Sequence, residues 1–394
     1  MPKTPSIWVV IPTYWGRSGR ALYDHPTPLQ GQSTLPRLLD SLATQINAPD
    51  FNVLVLVATV HQQENEIARE RVIKLLAPYQ DKLKLSLADA RTAEWIRGSS
   101  LMKSLSKLPS SISMQGYGNI RNLQLLIPAS MGAEVIIALD DDEVVPKDYL
   151  TRALKWIGKK LGNRAVTGVG GPYLDSKGCP YLPEPEMGTN LFAAKSVLIN
   201  QTMRELMAKP DRLIETPMVF GGNMVFQKKL FSRVCFDPAI PRGEDIDYLI
   251  NARIAGESFS FDPELVISHL PPRHYESSEY GKMKQDLIRF IYEREKLLLA
   301  GLNPSDFSPY PGCLLDEEAI HLALEALSAI GSEALAERFG TPEEIVQEAR
   351  NFAKYNLPRY FEFAKLWPDV IQDVQNNRNF KNELEMKCIS LEGQ

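Results

Sequence analysis

The chain has 394 residues and a formal net charge of −5, with 44% hydrophobic and 24% charged residues. Such a chain has room for one large α/β domain and a smaller appendage, and the composition argues against extended disorder or a coiled coil. No long basic run is present, so a protein that tracks nucleic-acid phosphates is not expected. The four cysteines, Cys179, Cys235, Cys313 and Cys388, are dispersed without zinc-ligand spacing and read as reduced thiols. The N-terminus MPKTPSIWVVIP passes directly into a short apolar strand and lacks a signal peptide's long apolar region; no apolar run approaches bilayer length. A cytoplasmic location is therefore expected.

In chain order, Ile7 to Ile11 (IWVVI) and Val53 to Val57 (VLVLV) are continuous apolar runs, the pattern of strands buried on both faces of a parallel sheet. A helix is predicted between them near Leu35 to Gln45. Further helices are predicted over Glu66–Ala77 and Ile120–Met131, and a buried strand over Glu134–Leu139 (EVIIAL). This alternation predicts a doubly wound, mostly parallel α/β sheet. Trp95 to Gly118 reads as a long surface loop, and Gly168 to Gly188 as a ligand-facing loop region. From about Asp286 onward helices are expected over 286–300, 316–330, 341–356 and 359–376. Asp316, and Thr341 with Pro342, Glu343 and Glu344, supply N-terminal signals for the middle two. The expected division is a catalytic domain over 1–285, with a nucleotide-binding half at 1–142 and an acceptor half at 143–285, then a C-terminal helical subdomain over 286–394.

Asp140, Asp141, Asp142 and Glu143 follow directly on an apolar strand. Ligands of open α/β sheets bind at the carboxyl ends of strands, and clustered carboxylates call for a cation such as Mg2+ or Mn2+. Alternation along an extended strand end would let Asp140 and Asp142 share one side while Asp141 points elsewhere. A solvated acidic turn capping the next helix explains the same residues. Arg242-Gly243-Glu244-Asp245-Ile246-Asp247 opens another predicted helix, where the acids serve either as first-turn partners of the helix dipole or as a general base. Gly221-Gly222-Asn223 admits close approach of a ligand or makes a turn. His269 and His274 follow the apolar run Leu265 to Ile267, and His269 is a candidate metal ligand in company with Asp142.

In this order the pieces resemble the nucleotide-sugar glycosyltransferases of the glycosyltransferase-A fold, most closely the family 2-like group. Val9-Val10-Ile11-Pro12-Thr13-Tyr14 is similar to the opening strand and its nucleotide-contacting turn, and Gly118-Asn119-Ile120-Arg121-Asn122 to the Ala-Arg-Asn segment. Asp140–Asp142 resembles the DXD motif, Gly222-Asn223 the Gly-Asn segment at the donor sugar, and Gly243-Glu244-Asp245 the Glu-Asp motif. His269 resembles a late His near metal and diphosphate.

The resemblance covers roughly residues 7 to 275 and implies a metal-dependent hexosyltransferase. Its donor is a nucleoside-diphosphate sugar with UDP or GDP, and its acceptor an unidentified hydroxyl. The residues implied are Asp245 or Glu244 as base; Asp142 and His269 as ligands of Mn2+ or Mg2+; and Pro12, Thr13, Tyr14, Arg121, Asn122, Asp140, Asp141, Gly222, Asn223 and Arg273 at the donor. The second strand ends Val57-Ala58-Thr59-Val60-His61 without the family's usual carboxylate, which leaves a guanosine donor open. Inversion is the implied stereochemistry, with retention, a sugar-phosphate nucleotidyltransferase and a non-catalytic nucleotide-sugar binding module as alternatives. The C-terminal aromatic stripe of Tyr355, Tyr360, Phe361, Phe363 and Trp367 reads as core or as a homo-oligomer face, with membrane-surface contact as the minor reading.

Overall fold

The computed structural model describes residues 5–16, 23, 26–104, 111–186, 188–209, 213–272 and 278–390. The strands β1 (Ile7–Trp15), β2 (Phe51–Thr59), β3 (Lys84–Ala88) and β4 (Val135–Ala138) form a parallel block within a nine-stranded sheet. β1 is central, pairing in parallel with β2 on one side and β4 on the other, while β3 extends the sheet beyond β2. The apolar runs work as their continuity predicts. Val9, Ile11, Val53, Val55 and Val57 pack into the layer holding the helices Leu35–Ala43 and Asn65–Leu76. Val10, Leu54 and Leu56 pack on the opposite face against the helix Tyr117–Ser130. Covering both faces removes the need for polar alternation along these strands.

Beyond β4 the order is Met224–Gln227, Gly168–Gly170, Ser260–Phe261 and Ile214–Glu215, with Met224–Gln227 antiparallel to both neighbours. A separate three-stranded sheet joins Glu143–Val144, Ile267–His269 and Tyr173–Leu174. Part of the expected ligand-facing loop over 168–188 is therefore strand. Likewise, much of the loop expected from Trp95 to Gly118 is helical, over Ala90–Gly98 and Ser100–Ser104. The first of these starts from a capping box in which Asp89 accepts the Arg91 and Thr92 amides. That local signal outweighs the Ser- and Lys-rich composition. Residues 105–110 of that segment lie outside the described ones.

The two last helices expected from sequence are one, Pro342–Asn376, 35 residues long with Pro358 and Pro368 inside it. Its start is the predicted one: Thr341 accepts the Glu344 amide at 3.3 Å, and Glu344 accepts the Thr341 amide at 2.9 Å. Asp316 likewise caps the helix Glu317–Ile330 by accepting the Ala319 amide at 2.8 Å. The C-terminal half of the long helix's apolar stripe, including Tyr360, Phe363 and Trp367, is buried in the same core as β1 and the helix Tyr117–Ser130, while Ile345 and Ala349 pack with the helices Glu279–Leu299 and Glu317–Ile330. The Trp367 indole donates to the Phe231 carbonyl at 2.9 Å. Tyr355 alone of these aromatics is largely exposed, with Arg359 stacked 3.5 Å over its ring. The strand Ile389–Ser390 closes the far edge of the main sheet against β3. The 285/286 boundary falls inside the helix Glu279–Leu299. No helix among the described residues is long and apolar enough to cross a membrane.

Candidate active site

Since β2 and β3 lie to one side of β1 and β4 to the other, the strand order reverses between β1 and β4, and a crevice opens beyond their carboxyl ends. A cavity of about 360 Å³ lies there, lined by Tyr14 from the end of β1 and by Asp140, Asp141 and Asp142 following β4. The acids occupy a tight turn rather than an extended strand end. The Glu143 amide donates to the Asp140 carbonyl at 3.3 Å, while the Glu143 carboxylate accepts the Asp140 amide at 2.8 Å. The turn directs all three aspartates to the cavity, so Asp141 does not point away as simple alternation would have it.

Each aspartate has a different neighbour. Asp140 accepts from Arg121 at 2.8 Å, and Asp141 accepts from the Thr13 hydroxyl at 2.5 Å. Asp142 lies 3.3 Å from His269 Nε2. The small sheet produces that last contact, because the Ile267–His269 strand runs antiparallel to Glu143–Val144 and the Leu270 amide donates to the Asp142 carbonyl. The His269 ring lies tilted 5.0 Å from Tyr173, which in turn stacks on Phe220 at 4.4 Å. Burial pushes the Asp141 carboxyl up to about 8, reinforced by the negative charge of Asp142. Burial lowers the basicity of His269, but its hydrogen bond and charge interaction with Asp142 carry it above the usual histidine value.

A buried arginine joins this acidic turn to the second motif. Arg121, 3% exposed, donates Nε to Glu244 at 3.1 Å, Nη2 to Asp140 at 2.8 Å and Nη1 to Gln124 at 3.1 Å. Burial nevertheless pushes the Glu244 carboxyl up to about 7. Asp245 also lines the cavity; its carboxylate accepts the Gly221 amide at 3.0 Å and its own helix's Ile246 amide at 2.8 Å. Two donors hold it in one orientation, as a general base requires.

Asp140, Asp141, Asp142, His269, Tyr14, Arg121, Glu244 and Asp245 thus meet around one cavity. Pro12, Thr13, Asn122, Gly222 and Asn223 are not among the residues that line it. Asn122 clamps the Phe236 backbone, its amide donating to the carbonyl and its oxygen accepting the N–H, both at 2.9 Å. Asn223 accepts from the Tyr149 hydroxyl at 2.9 Å and donates to the Leu265 carbonyl at 2.6 Å. A Cβ on Gly222 would meet Glu143 Oε1 at 1.9 Å, so this glycine lets the buried Glu143 approach the backbone. Arg273 and His274 lie outside the described residues.

Sequence reasoning missed Tyr117, Tyr173, Lys195 and Arg289, which also line the cavity. Tyr173 had a signal in its Gly-rich, ligand-facing surroundings. Arg289 is four residues from Glu293 on a helix, a spacing that reads as an ordinary ion pair. Tyr14, Tyr23 and Tyr117 form one aromatic group with centroids 4.5–5.5 Å apart, two of them on the cavity.

No family model and no curated protein matches the chain. Among solved structures it is similar to a mannosyltransferase of Pyrobaculum calidifontis in complex with GDP-Man and Mn2+. The identity is 16% over 95% of this chain and 88% of that one, with a TM-score of 0.46. It is also similar to GalNAc-T7 with UDP, GalNAc and Mn2+, at 14% identity over 90% of this chain and 59% of that one, TM-score 0.45. A third similarity is to S. aureus TarS, at 14% identity over 92% of this chain and 55% of that one, TM-score 0.41. The chain thus spans little more than half the length of the last two.

Proposed function

We propose that this chain transfers a hexose from a nucleoside-diphosphate sugar to an acceptor hydroxyl, as a member of the glycosyltransferase-A type. The reading is carried by one observation: a cavity at the strand-order reversal is lined both by three consecutive aspartates, one beside a histidine, and by a separately fixed aspartate.

Asp142 and His269, one carboxylate and one imidazole 3.3 Å apart, make a donor pair suited to Mn2+, with Mg2+ as the harder alternative. Held by Asp142 and His269, such a cation would supply charge neutralisation for the departing nucleoside diphosphate.

The chain's own residues supply orientation and proton transfer. Asp140 and Asp141 contact the donor's ribose or sugar hydroxyls, and Tyr14 and Tyr117 offer ring surfaces to the nucleoside. The Asp140–Arg121–Glu244 chain of charge-assisted hydrogen bonds holds the donor side and the helix of Asp245 in fixed relation. Asp245 takes the acceptor's hydroxyl proton as that oxygen attacks the anomeric carbon, giving inversion. The C1–O bond to the diphosphate breaks with its electron pair on the diphosphate. In this reading residues 1–285 supply the donor side and the base, Arg289 and Tyr310 of the helical part complete the cavity wall, and the reaction takes place in the cytoplasm.

The test is a panel of UDP-, GDP- and other nucleotide sugars with Mn2+ or Mg2+, followed by nucleoside-diphosphate release. Product anomeric configuration, read by NMR, separates inversion from retention. Release of pyrophosphate in place of nucleoside diphosphate, or no donor binding with or without metal, sinks the proposal.

A further inference from the structure

Besides its acids the cavity carries a group of cations. Lys195, Arg242 and Arg289 all line it, whereas Asp286 and Glu293, which pair with Lys195 and Arg289 from the helix Glu279–Leu299, are not among its lining residues. Lys195 pairs with Asp286, and Arg289 Nε donates to Glu293 at 2.8 Å. The three cations are close enough to act on one another: burial and the charges of Arg242 and Arg289 push the Lys195 ammonium down, against the pull of Asp286.

Arg289 is the most telling of them. It is 3% exposed, and its Nη2 has no hydrogen-bond partner among the described residues. A buried guanidinium N–H without an acceptor is costly, and one on a cavity wall is satisfied by an acceptor that arrives with a ligand. Its place is set by Gly243, where φ is +67° and a Cβ would lie 2.0 Å from Arg289 Nη1. The guanidinium therefore lies against the residue that immediately precedes Glu244 and Asp245 and immediately follows Arg242.

Resting on the transferase reading above, we infer that the acceptor is a hydroxylated oxyanion, a carboxylate or phosphate monoester. Its charged group docks on Arg289, Arg242 and Lys195, and this presents a hydroxyl of the same molecule to Asp245. Guanidinium forks match both oxyanions, and the docked charge orients the acceptor for attack. The new glycosidic bond joins the acceptor oxygen to the anomeric carbon, the acceptor proton goes to Asp245, and the nucleoside diphosphate leaves with the electron pair.

The experiment compares glycerol, glycerate and glycerol phosphate as acceptors for the full chain with whichever nucleotide sugar releases nucleoside diphosphate. The expected result is a KM at least about tenfold lower for the two anions than for glycerol. Arg242→Gln should raise the KM of the anions about tenfold without raising that of glycerol. Glycerate against glycerol phosphate tells carboxylate from phosphate. Equal KM values for glycerol and both anions in the wild-type chain overturn the inference while leaving the transferase reading intact.

If no donor is turned over, that reading fails, and the anion site is judged by calorimetric titration of inorganic phosphate. Binding that is lost in Arg242→Gln and in the charge-conserving Arg289→Lys, yet kept in Asp142→Asn, supports it. Phosphate binding that is absent, or the same in all variants, overturns it.

Discussion

At the residue scale, three adjacent aspartates have separate partners, so their substitutions are expected to differ. Asp245 is oriented by two amides on the cavity wall. Asp245→Asn keeps the size but leaves one acceptor for the two amides and removes the basic oxygen, so kcat should fall by about 10²–10⁴-fold with the KM for donor little changed, measured by steady-state nucleoside-diphosphate release. Asp142→Asn removes half of the Asp142–His269 pair and should raise the Kd for Mn2+ about tenfold or more, read by titration of the metal. Gly118 tests a purely structural role within a motif that reads as functional. A Cβ there would lie 2.0 Å from the Asp237 carbonyl oxygen, a backbone atom that cannot swing away. Gly118→Ala should therefore cost about 1–3 kcal/mol in urea unfolding.

At the element scale, the helix Pro342–Asn376 is continuous despite Pro358 and Pro368 because its apolar residues are buried along its whole length: Ile345 and Ala349 pack with the helices Glu279–Leu299 and Glu317–Ile330, Ala353 and Leu357 with Tyr292, and Tyr360 to Val374 with the sheet's helix layer. Tertiary burial offsets the hydrogen bonds that the prolines remove. Trp367, fully buried with its indole bonded to the Phe231 carbonyl, is the anchor. Trp367→Ala should cost about 3–5 kcal/mol, measured by chemical unfolding, and the loss should appear in the core of the main sheet as well as in the helix. The stripe's burial also answers the choice offered by its sequence: Tyr360, Phe363 and Trp367 are core residues of this chain.

At the scale of the whole molecule, Glu244 couples stability to pH. Burial raises its folded value to about 7 from an ordinary 4.5, so the folded state holds the proton more tightly than the unfolded one. The stability linked to that proton is present below about pH 4.5 and is lost as pH rises through about 7. Glu244→Gln, which cannot ionise, should flatten the fall in unfolding free energy between pH 5 and 7. The difference is expected to be on the order of 1 kcal/mol, measured by urea titrations without metal; parallel curves for variant and parent would refute it.

What could be read from the chain alone was local or periodic. The buried parallel strands showed as unbroken apolar runs because both faces are covered, and the caps at Thr341 and Asp316 showed because a cap bonds only to amides a turn away. The acidic turn after β4 was legible because a strand's carboxyl end is where an open sheet binds ligands. Only the folded chain could reveal that Asn122 grips the Phe236 backbone 114 residues away, or that Arg121 spans Asp140 and Glu244. The same holds for Lys195, Arg242 and Arg289, which come from three separate segments to one wall. Such contacts depend on how layers pack, and side chains far apart in sequence leave no period or spacing that marks them as neighbours.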